Sequence, residues 1–170
     1  MLRIETGNMF QVHTTFDVLV ETVRVFRRRH PNADGRRSKE LFDRLSDNVD
    51  EILGDFLGDI DFDGSDGDDL HVHAATVACR ADKLLTSNGG DFGDPNLLDY
   101  EIYTPDDFFV LVDNSSPYHV RQVTRDQVDY WQKRRDNGEA VKPLHGALID
   151  AGCSKFAERV QRHVRALSGA

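Results

Sequence analysis

Apolar and polar positions form a series of segments that predict helices and short strands. Residues 16–26 carry apolar side chains at helical spacing, and either of the two threonines before them can cap a helix that Pro31 ends. The same spacing predicts a second helix in roughly 37–57. The short apolar segment 9–13, ahead of both, favours a strand.

The middle of the chain predicts one further helix and two strands. Residues 59–69, DIDFDGSDGDD, are acidic and contain glycine, which favours a short strand and an exposed loop. An alanine-rich helix is expected in 68–82, followed by strands in 83–87 (KLLTS) and 100–104 (YEIYT). This alternation predicts an α/β fold with a largely parallel sheet, in which ligands bind beyond the carboxyl ends of the strands.

From about residue 120 the pattern becomes helical. Thr124 and Gln127 have the spacing of a capping box, so we expect a helix that starts there and runs to about Asn137. Pro143 opens a shorter helix, and Ser154 is expected to cap a last one with apolar residues at helical spacing.

Length and composition limit the domain organisation. The chain has 170 residues, 39% of them apolar, which is enough for one ordinary domain with an appendage. We expect an α/β domain in residues 1–115 and a helical extension in 120–170 that packs on the sheet or binds a partner. The net charge of −9 argues against a general nucleic-acid coat protein, but not against a nuclease whose acidic residues hold metal ions.

Cysteine content and hydropathy bear on the compartment. Two cysteines, Cys79 and Cys153, give no disulfide framework, which favours a reducing cytoplasm. No apolar run approaches the roughly 18 residues that span a bilayer, and the N-terminus lacks a signal-peptide pattern. The sequence therefore predicts a soluble, cytoplasmic protein without a membrane partner.

Four carboxylates stand out by their positions. Glu21 lies in the first helix, Asp68 and Asp69 open the alanine-rich helix, and Asp91 follows strand 83–87 in a polar loop. A parallel sheet can bring these together at one edge, where like charges repel unless a divalent cation neutralises them. We therefore expect Mg²⁺ or Mn²⁺, which can activate water and stabilise the leaving oxygen of a phosphodiester.

Each of these residues also has a purely structural interpretation. The paired aspartates could cap a helix and complement its dipole, Asp91 could be a turn residue, and Glu21 could be solvated. Thr86 and Asn88, beside the same loop, could serve the backbone alone. The basic cluster 24–30, RVFRRRH, could bind RNA phosphates or complement the end of its own helix.

Three stretches in this order, DDLHVHAA, ADKLLTSNGGDF and YEIYTPDDFF, resemble the second half of a PIN-domain ribonuclease of the VapC type, the toxins of toxin–antitoxin modules. The similarity covers roughly residues 2–112, and the C-terminal stretch is similar to a helical tail found in one branch of these toxins. The resemblance implies a PIN-like three-layer fold with a mostly parallel central sheet. It also implies one or two Mg²⁺ or Mn²⁺ ions and an RNA substrate.

The resemblance also assigns site residues by motif. Glu21 matches the helix glutamate of the family, Asp69 the aspartate that opens the alanine-rich helix, and Asp91 the aspartate after the threonine–x–asparagine turn. Thr86 and Asn88 match the polar residues that shape the metal site. These five residues are the expected catalytic set, and Asp68 is a further candidate metal ligand.

One part of the family pattern is missing. PIN domains begin with a central strand that carries a metal-binding aspartate, whereas this chain starts MLRIETGNMFQVH, which resembles the end of the following helix. We hypothesise a split PIN domain, in which a partner polypeptide, such as the antitoxin, donates that strand by β-strand addition. A misassigned start codon, an artificially shortened chain and a decayed copy are alternatives.

The expected function is that of a metal-dependent endoribonuclease, the toxin component of a toxin–antitoxin module. The alternative is a non-catalytic PIN-like interaction subunit, which would survive as a binding partner without one metal ligand. An oligomer is compatible with either function.

Overall fold

A computed structural model describes residues 10–168, which form two compact units. The N-terminal unit comprises residues 10–84 and 88–101, and the C-terminal unit comprises 85–87 and 102–168. The mixed α/β class predicted from the sequence is confirmed. None of the helices in the described part of the chain combines the length and apolar content needed to cross a membrane.

The helices and strands follow one another in a mixed order. In chain order they are β1 (His13–Thr15), α1 (Phe16–Arg29), α2 (Gly35–Ser46), β2 (Glu51–Leu53), α3 (Leu70–Ala78), β3 (Lys83–Leu85), β4 (Glu101–Tyr103), α4 (Pro105–Ser115), α5 (Pro117–Asp136), α6 (Leu144–Asp150) and α7 (Ser154–Ser168). Short 3₁₀ turns precede α3 and follow β3.

Strand β1 leads directly into α1. Thr15 is the last strand residue and the N-cap of the helix, where its hydroxyl accepts a hydrogen bond from the Val18 N–H at 3.2 Å. The predicted helix is therefore confirmed. The strand lies at residues 13–15 rather than at 9–13, and Met9 of that prediction lies outside the described residues.

The prediction of one helix over 37–57 is wrong in its second half. Helix α2 ends at Ser46, and residues 51–53 form β2, which pairs in parallel with β1 so that Ile52 lies opposite Thr14. Asp50 joins the two segments, because its carboxylate accepts from the Val12 N–H at 2.7 Å. The apolar spacing after residue 48 suits a helix and a strand equally, and the tertiary pairing decides between them.

Both strands predicted in the middle of the chain are present. The Thr86 N–H donates to the Tyr103 carbonyl at 3.0 Å, and the Glu101 N–H donates to the Asp82 carbonyl at 2.9 Å. Among residues 10–168 the strands form two separate parallel sheets, β1–β2 and β3–β4, instead of one continuous sheet. Each strand therefore pairs with one described neighbour.

The acidic stretch 59–69 is tied to the core of the N-terminal unit. It contains no strand, contrary to the sequence prediction. The Phe62 ring lies edge-on to Phe92, with ring centroids 6.0 Å apart, and 5.2 Å from the His73 ring. Buried His73 is in turn hydrogen-bonded to the Tyr100 hydroxyl at 2.7 Å. Aromatic packing therefore holds the loop, although five of its six acids are exposed.

The C-terminal unit contains one helix that the sequence prediction missed. Helix α4 is capped by Thr104, whose hydroxyl accepts from the Asp107 N–H at 3.1 Å, and Pro105 occupies its first turn. These residues lie within the YEIYTPDDFF stretch, which resembles part of a family motif although its threonine and proline also form a helix-start signal.

The predicted start of the next helix is wrong. Helix α5 begins at Pro117, and Thr124 lies well inside it, where it is 0% exposed. The Thr124 hydroxyl donates to the Val120 carbonyl within the helix at 2.8 Å, so it caps nothing. Proline in the first turn is the stronger start signal, because its ring fixes a helical backbone angle.

The last two helices begin where the sequence predicts. Pro143 precedes α6, and α7 starts at Ser154. The first N–H groups of α7 are bound by another helix: the carboxylate of buried Asp106 in α4 accepts from Lys155 N at 3.1 Å and from Phe156 N at 2.8 Å. This long-range cap locks α7 to α4 and replaces the predicted cap by Ser154.

Candidate functional site

Glu21 projects from the second turn of α1 and is exposed. The helix begins immediately after β1, so its first turns are placed by the strand pairing with β2. The buried residue of this helix is Leu19, which fixes its inner face. Glu21 is therefore held on a rigid element rather than on a loop.

Asp68 and Asp69 lie in the 3₁₀ turn Gly67–Asp69 that opens α3. The cap of this turn is Asp66, whose carboxylate accepts from the Asp68 N–H at 3.0 Å. Asp69 occupies the N-cap position of α3 but makes no side-chain capping bond. Helix capping therefore does not account for the carboxylate of Asp69.

Asp91 lies in the 3₁₀ turn Gly89–Phe92, directly before a buried anchor, since Phe92 is only 2% exposed. Its carboxylate accepts a hydrogen bond from the Ser65 hydroxyl at 3.2 Å, and its carbonyl accepts from the Ser65 N–H at 2.9 Å. The loop after β3 and the acidic loop before α3 are thus joined at Asp91.

Gly64 makes this contact possible. A Cβ at this position would lie 2.3 Å from the Asp91 carbonyl oxygen and 2.0 Å from the Phe62 ring, so any larger residue would push the loops apart. Glycine is required here by close approach of the two loops.

The carboxylates act on one another. Burial raises the pKa of Asp69 above its usual value, and the negative charges of Asp66, Asp91 and Glu21 raise it further, while His71 acts in the opposite direction. Glu21, Asp69 and Asp91 come from three separate segments of the chain. Of the four predicted acids of the N-terminal unit, the structure therefore brings Glu21 and Asp91 within electrostatic range of Asp69.

The two predicted polar residues have different positions. Asn88 precedes the turn that carries Asp91, and its carbonyl accepts from the Asp91 N–H at 2.9 Å. Thr86 directly follows β3 and belongs to the C-terminal unit, where its N–H bonds to Tyr103. Asn88 thus helps to shape the loop of Asp91.

The donor set can be compared with the needs of a metal ion. Within residues 10–168, no group of three or more His, Cys, Asp or Glu side chains is close enough to coordinate a metal directly. Mg²⁺ keeps several of its waters and is commonly held by only one or two carboxylates, so a looser set of acids is compatible with it. The oxygens of Asp69 and of the carboxylates whose charges raise the pKa of Asp69 fit this hard cation chemically.

Sequence reasoning missed the residues that position this site. Ser65 and Phe62 fix the acidic loop beside Asp91 and Phe92. Asp66 provides the turn cap that the structural interpretation gives to Asp68 and Asp69. The sequence does contain a signal for the packing role of Phe62, because it is the one aromatic residue in the acidic stretch 59–69.

Comparisons of the chain with protein-family models, with curated proteins and with solved structures found no match. What the site can do is therefore inferred from its own side chains and from the motifs in the sequence.

Proposed function

We propose that this protein is a Mg²⁺- or Mn²⁺-dependent endoribonuclease with a PIN-like three-layer fold, the toxin component of a toxin–antitoxin module. The observation that carries the proposal is the electrostatic grouping of Glu21, Asp69 and Asp91. Repulsion of this kind is unfavourable unless a cation offsets it. The free cysteines, Cys79 and Cys153, agree with the reducing cytoplasm in which we place the enzyme.

Each acid has a role in this proposal. Glu21, Asp69 and Asp91 would hold the ion, and Asp68 beside them is a further candidate ligand. When bound, the ion supplies positive charge that offsets the charge of the scissile phosphate. Ser65 keeps the Asp91 carboxylate oriented, and the resemblance adds Thr86 and Asn88 as supporting polar groups.

We propose that the RNA backbone binds along α1. Arg24 and Arg28 are exposed and follow Glu21 at helical spacings of three and seven residues, so all three share one face. Arg27 differs, because its guanidinium donates to the Ala33 carbonyl at 2.9 Å and so stabilises the end of the helix. Binding of phosphates by Arg24 and Arg28 would therefore place the RNA backbone on the same face of α1 as Glu21.

A partner polypeptide is part of the proposal. The described strands form two sheets of two strands each, and the resemblance places a further strand between β1 and β3. A strand from a second chain can join a sheet through main-chain hydrogen bonds. We propose that the antitoxin, or another partner chain, supplies this strand together with an additional acidic ligand.

Cleavage of a mixed RNA substrate in Mn²⁺ tests the function. We expect the wild-type protein with its partner to cut, and Asp69→Ala and Asp91→Ala to lose at least about 100-fold in rate, as for removal of a group that stabilises the transition state. Asp126→Ala, an exposed acid on α5, is the matched control. Undiminished cleavage by both site variants would refute the proposal.

Binding is measured in the same series without Mn²⁺. The double variant Arg24→Gln/Arg28→Gln should bind RNA more weakly and with a shallower salt dependence. Arg125→Gln, an exposed arginine on α5, should bind as the wild type does.

The absence, among the described residues, of a preformed coordinating group favours a second candidate, a non-catalytic interaction subunit. Such a subunit would bind its partner equally well with and without Asp69 and Asp91. It would not cut RNA in any metal ion, with or without the partner.

A further inference from the structure

A cavity of about 240 Å³ lies within the C-terminal unit, lined by α5, α6, α7 and the turn between α5 and α6. Its walls are mostly apolar, and the aliphatic side chains include Val128, Leu144, Val160 and Val164. The volume equals that of about eight molecules of liquid water at about 30 Å³ each. This is enough room for a phenyl ring or a chain of several carbons.

Trp131 contributes a polar group with no partner. Trp131 lines the cavity, but its indole Nε1 is covered and has no hydrogen-bond acceptor among the described residues, so a ligand in the cavity reaches this N–H only when the ring shifts. The Arg134 guanidinium lies over the ring, 5.3 Å from its centroid, and the Tyr130 ring packs against it in a T-shaped arrangement at 5.2 Å. A buried donor without an acceptor is unfavourable, so a ligand that brings an acceptor oxygen would be stabilised.

Apart from the neutral Gln161, the lining has three basic side chains. Arg135, Lys142 and His145 line the cavity, and no aspartate or glutamate does so among the described residues. Lys142 pairs with Asp150, and Arg135 donates to the Gln132 side chain at 2.7 Å, so both cations are held in place. In a chain of net charge −9, a lining with three basic residues and no acid is a local reversal of charge.

We propose that this cavity binds a small apolar carboxylate. The hydrocarbon body fills the space between Val128, Val160 and Val164. One carboxylate oxygen accepts from the Trp131 N–H, which a small shift of the indole ring uncovers, and the negative charge is stabilised by Arg135 and Lys142. The combination of an apolar wall with a few convergent polar groups is typical of small-molecule sites. The proposal does not depend on ribonuclease activity, because the cavity lies wholly within the C-terminal unit.

Trp131 is the only tryptophan of the chain, so its fluorescence reports on the cavity alone. We expect hexanoate to give a saturable change in the emission of the full-length protein. Hexanamide, which has the same chain without the charge, should bind at least about tenfold more weakly. Isothermal titration calorimetry checks the same two probes without relying on fluorescence.

Variants separate this site from nonspecific binding. Arg135→Gln should weaken hexanoate binding about tenfold. Val164→Phe should abolish it by filling the cavity, whereas Lys133→Gln, an exposed lysine of α5 that does not line the cavity, should leave it unchanged. Circular dichroism shows whether Val164→Phe is folded; if it is not, Arg135→Gln decides. No saturable change with hexanoate, equal binding of hexanamide, or unchanged binding by Arg135→Gln would overturn the proposal.

Discussion

Asp69 is the residue on which the electrostatics of the candidate site converge. The N-terminal end of a helix normally stabilises a negative charge, yet burial and the charges of Asp66, Asp91 and Glu21 raise the pKa of Asp69. Its carboxylate makes no capping bond that would offset this. Charge at this position is therefore held at a cost to folding, as expected of a group kept for binding rather than for stability.

Removing the negative charge of Asp69 should stabilise the metal-free protein. We expect Asp69→Asn to raise the melting temperature by about 1–2 °C in EDTA, a small effect because solvent screens much of the repulsion. The same variant should lose the stabilisation that Mn²⁺ confers on the wild type. Differential scanning fluorimetry measures both. Asp94→Asn is the control of opposite sign, since hydrogen bonds from Asn96 lower the pKa of Asp94. A lower melting temperature for Asp69→Asn in EDTA would contradict this interpretation.

At the scale of elements, loops and helices are positioned by contacts between distant segments. The bond from Ser65 to Asp91 joins residues 26 positions apart, and the cap of α7 by Asp106 reaches Phe156 across 50 positions. Neither contact leaves a local pattern in the sequence. The start of α1 does leave one, because Thr15 caps a helix within three residues of itself, and this is why it could be predicted.

Gly64→Ala should disturb the site without touching a carboxylate. The added methyl group would overlap the Asp91 carbonyl and the Phe62 ring, so the two loops must separate. We expect the rate of RNA cleavage to fall by about tenfold or more, since small displacements of catalytic groups are costly. Gly58→Ala is the matched control, because nothing lies within 4 Å of a Cβ at that position. Equal rates for the two variants would show that the loop contact does not position Asp91.

The C-terminal unit is held by an ion cluster between α4 and α7. Asp113 is buried and accepts from Arg159 at 2.9 Å and from His163 Nε2 at 2.6 Å. Although burial acts to raise it, hydrogen bonds from His163 and then Arg159 lower the pKa of Asp113 below its usual value. A carboxyl whose folded pKa is lowered stabilises the fold above its unfolded pKa, about 3.9, and this stabilisation is lost as the pH falls through the folded value.

Asp113→Ala should therefore destabilise the protein by about 3–5 kcal/mol at neutral pH, because it leaves Arg159 without its buried partner. Urea unfolding measures the free energy. Below about pH 4 the difference between the variant and the wild type should shrink, since the carboxyl of the unfolded chain then takes up a proton, while the folded carboxyl does so only at lower pH. Asp126→Ala, an exposed acid on α5, should change stability by less than about 0.5 kcal/mol. A pH-independent difference would rule out the assigned role of the charge.

For the whole molecule, the sequence predicts the class of fold but not the division of the described strands into two separate sheets. The alternation of helices and strands gives the mixed α/β class, and residues 83–87 and 100–104 give the second sheet. Where β2 lies could not be predicted, because Ile52 and Leu53 fit a helix and a strand equally well. Of the site, the sequence proposes Glu21, Asp69 and Asp91, and the charges of Glu21 and Asp91 do act on Asp69, whereas the positioning by Ser65 and Phe62 becomes visible only in three dimensions.

The proposed strand donation makes a prediction for the isolated chain. We expect β1 and β3 to exchange their backbone amide hydrogens faster than the buried turns of α7 around Phe156 and Val160 until the donated strand is added. Hydrogen exchange followed by mass spectrometry measures this, and addition of the proposed partner chain should slow exchange in these two strands alone. Slow exchange in β1 and β3 of the isolated chain would remove the need for a donated strand.

The most direct test of the central claim is Mn²⁺ binding by isothermal titration calorimetry. The wild-type protein, with its partner present, should bind the ion. Glu21→Gln, Asp69→Asn and Asp91→Asn should each weaken binding at least about tenfold, because each removes one charged ligand. Asp126→Asn, which lies on α5, should bind as the wild type does. Unchanged Mn²⁺ affinity in all three variants would show that these three carboxylates do not form a metal site, and the proposed nuclease mechanism would fall with it.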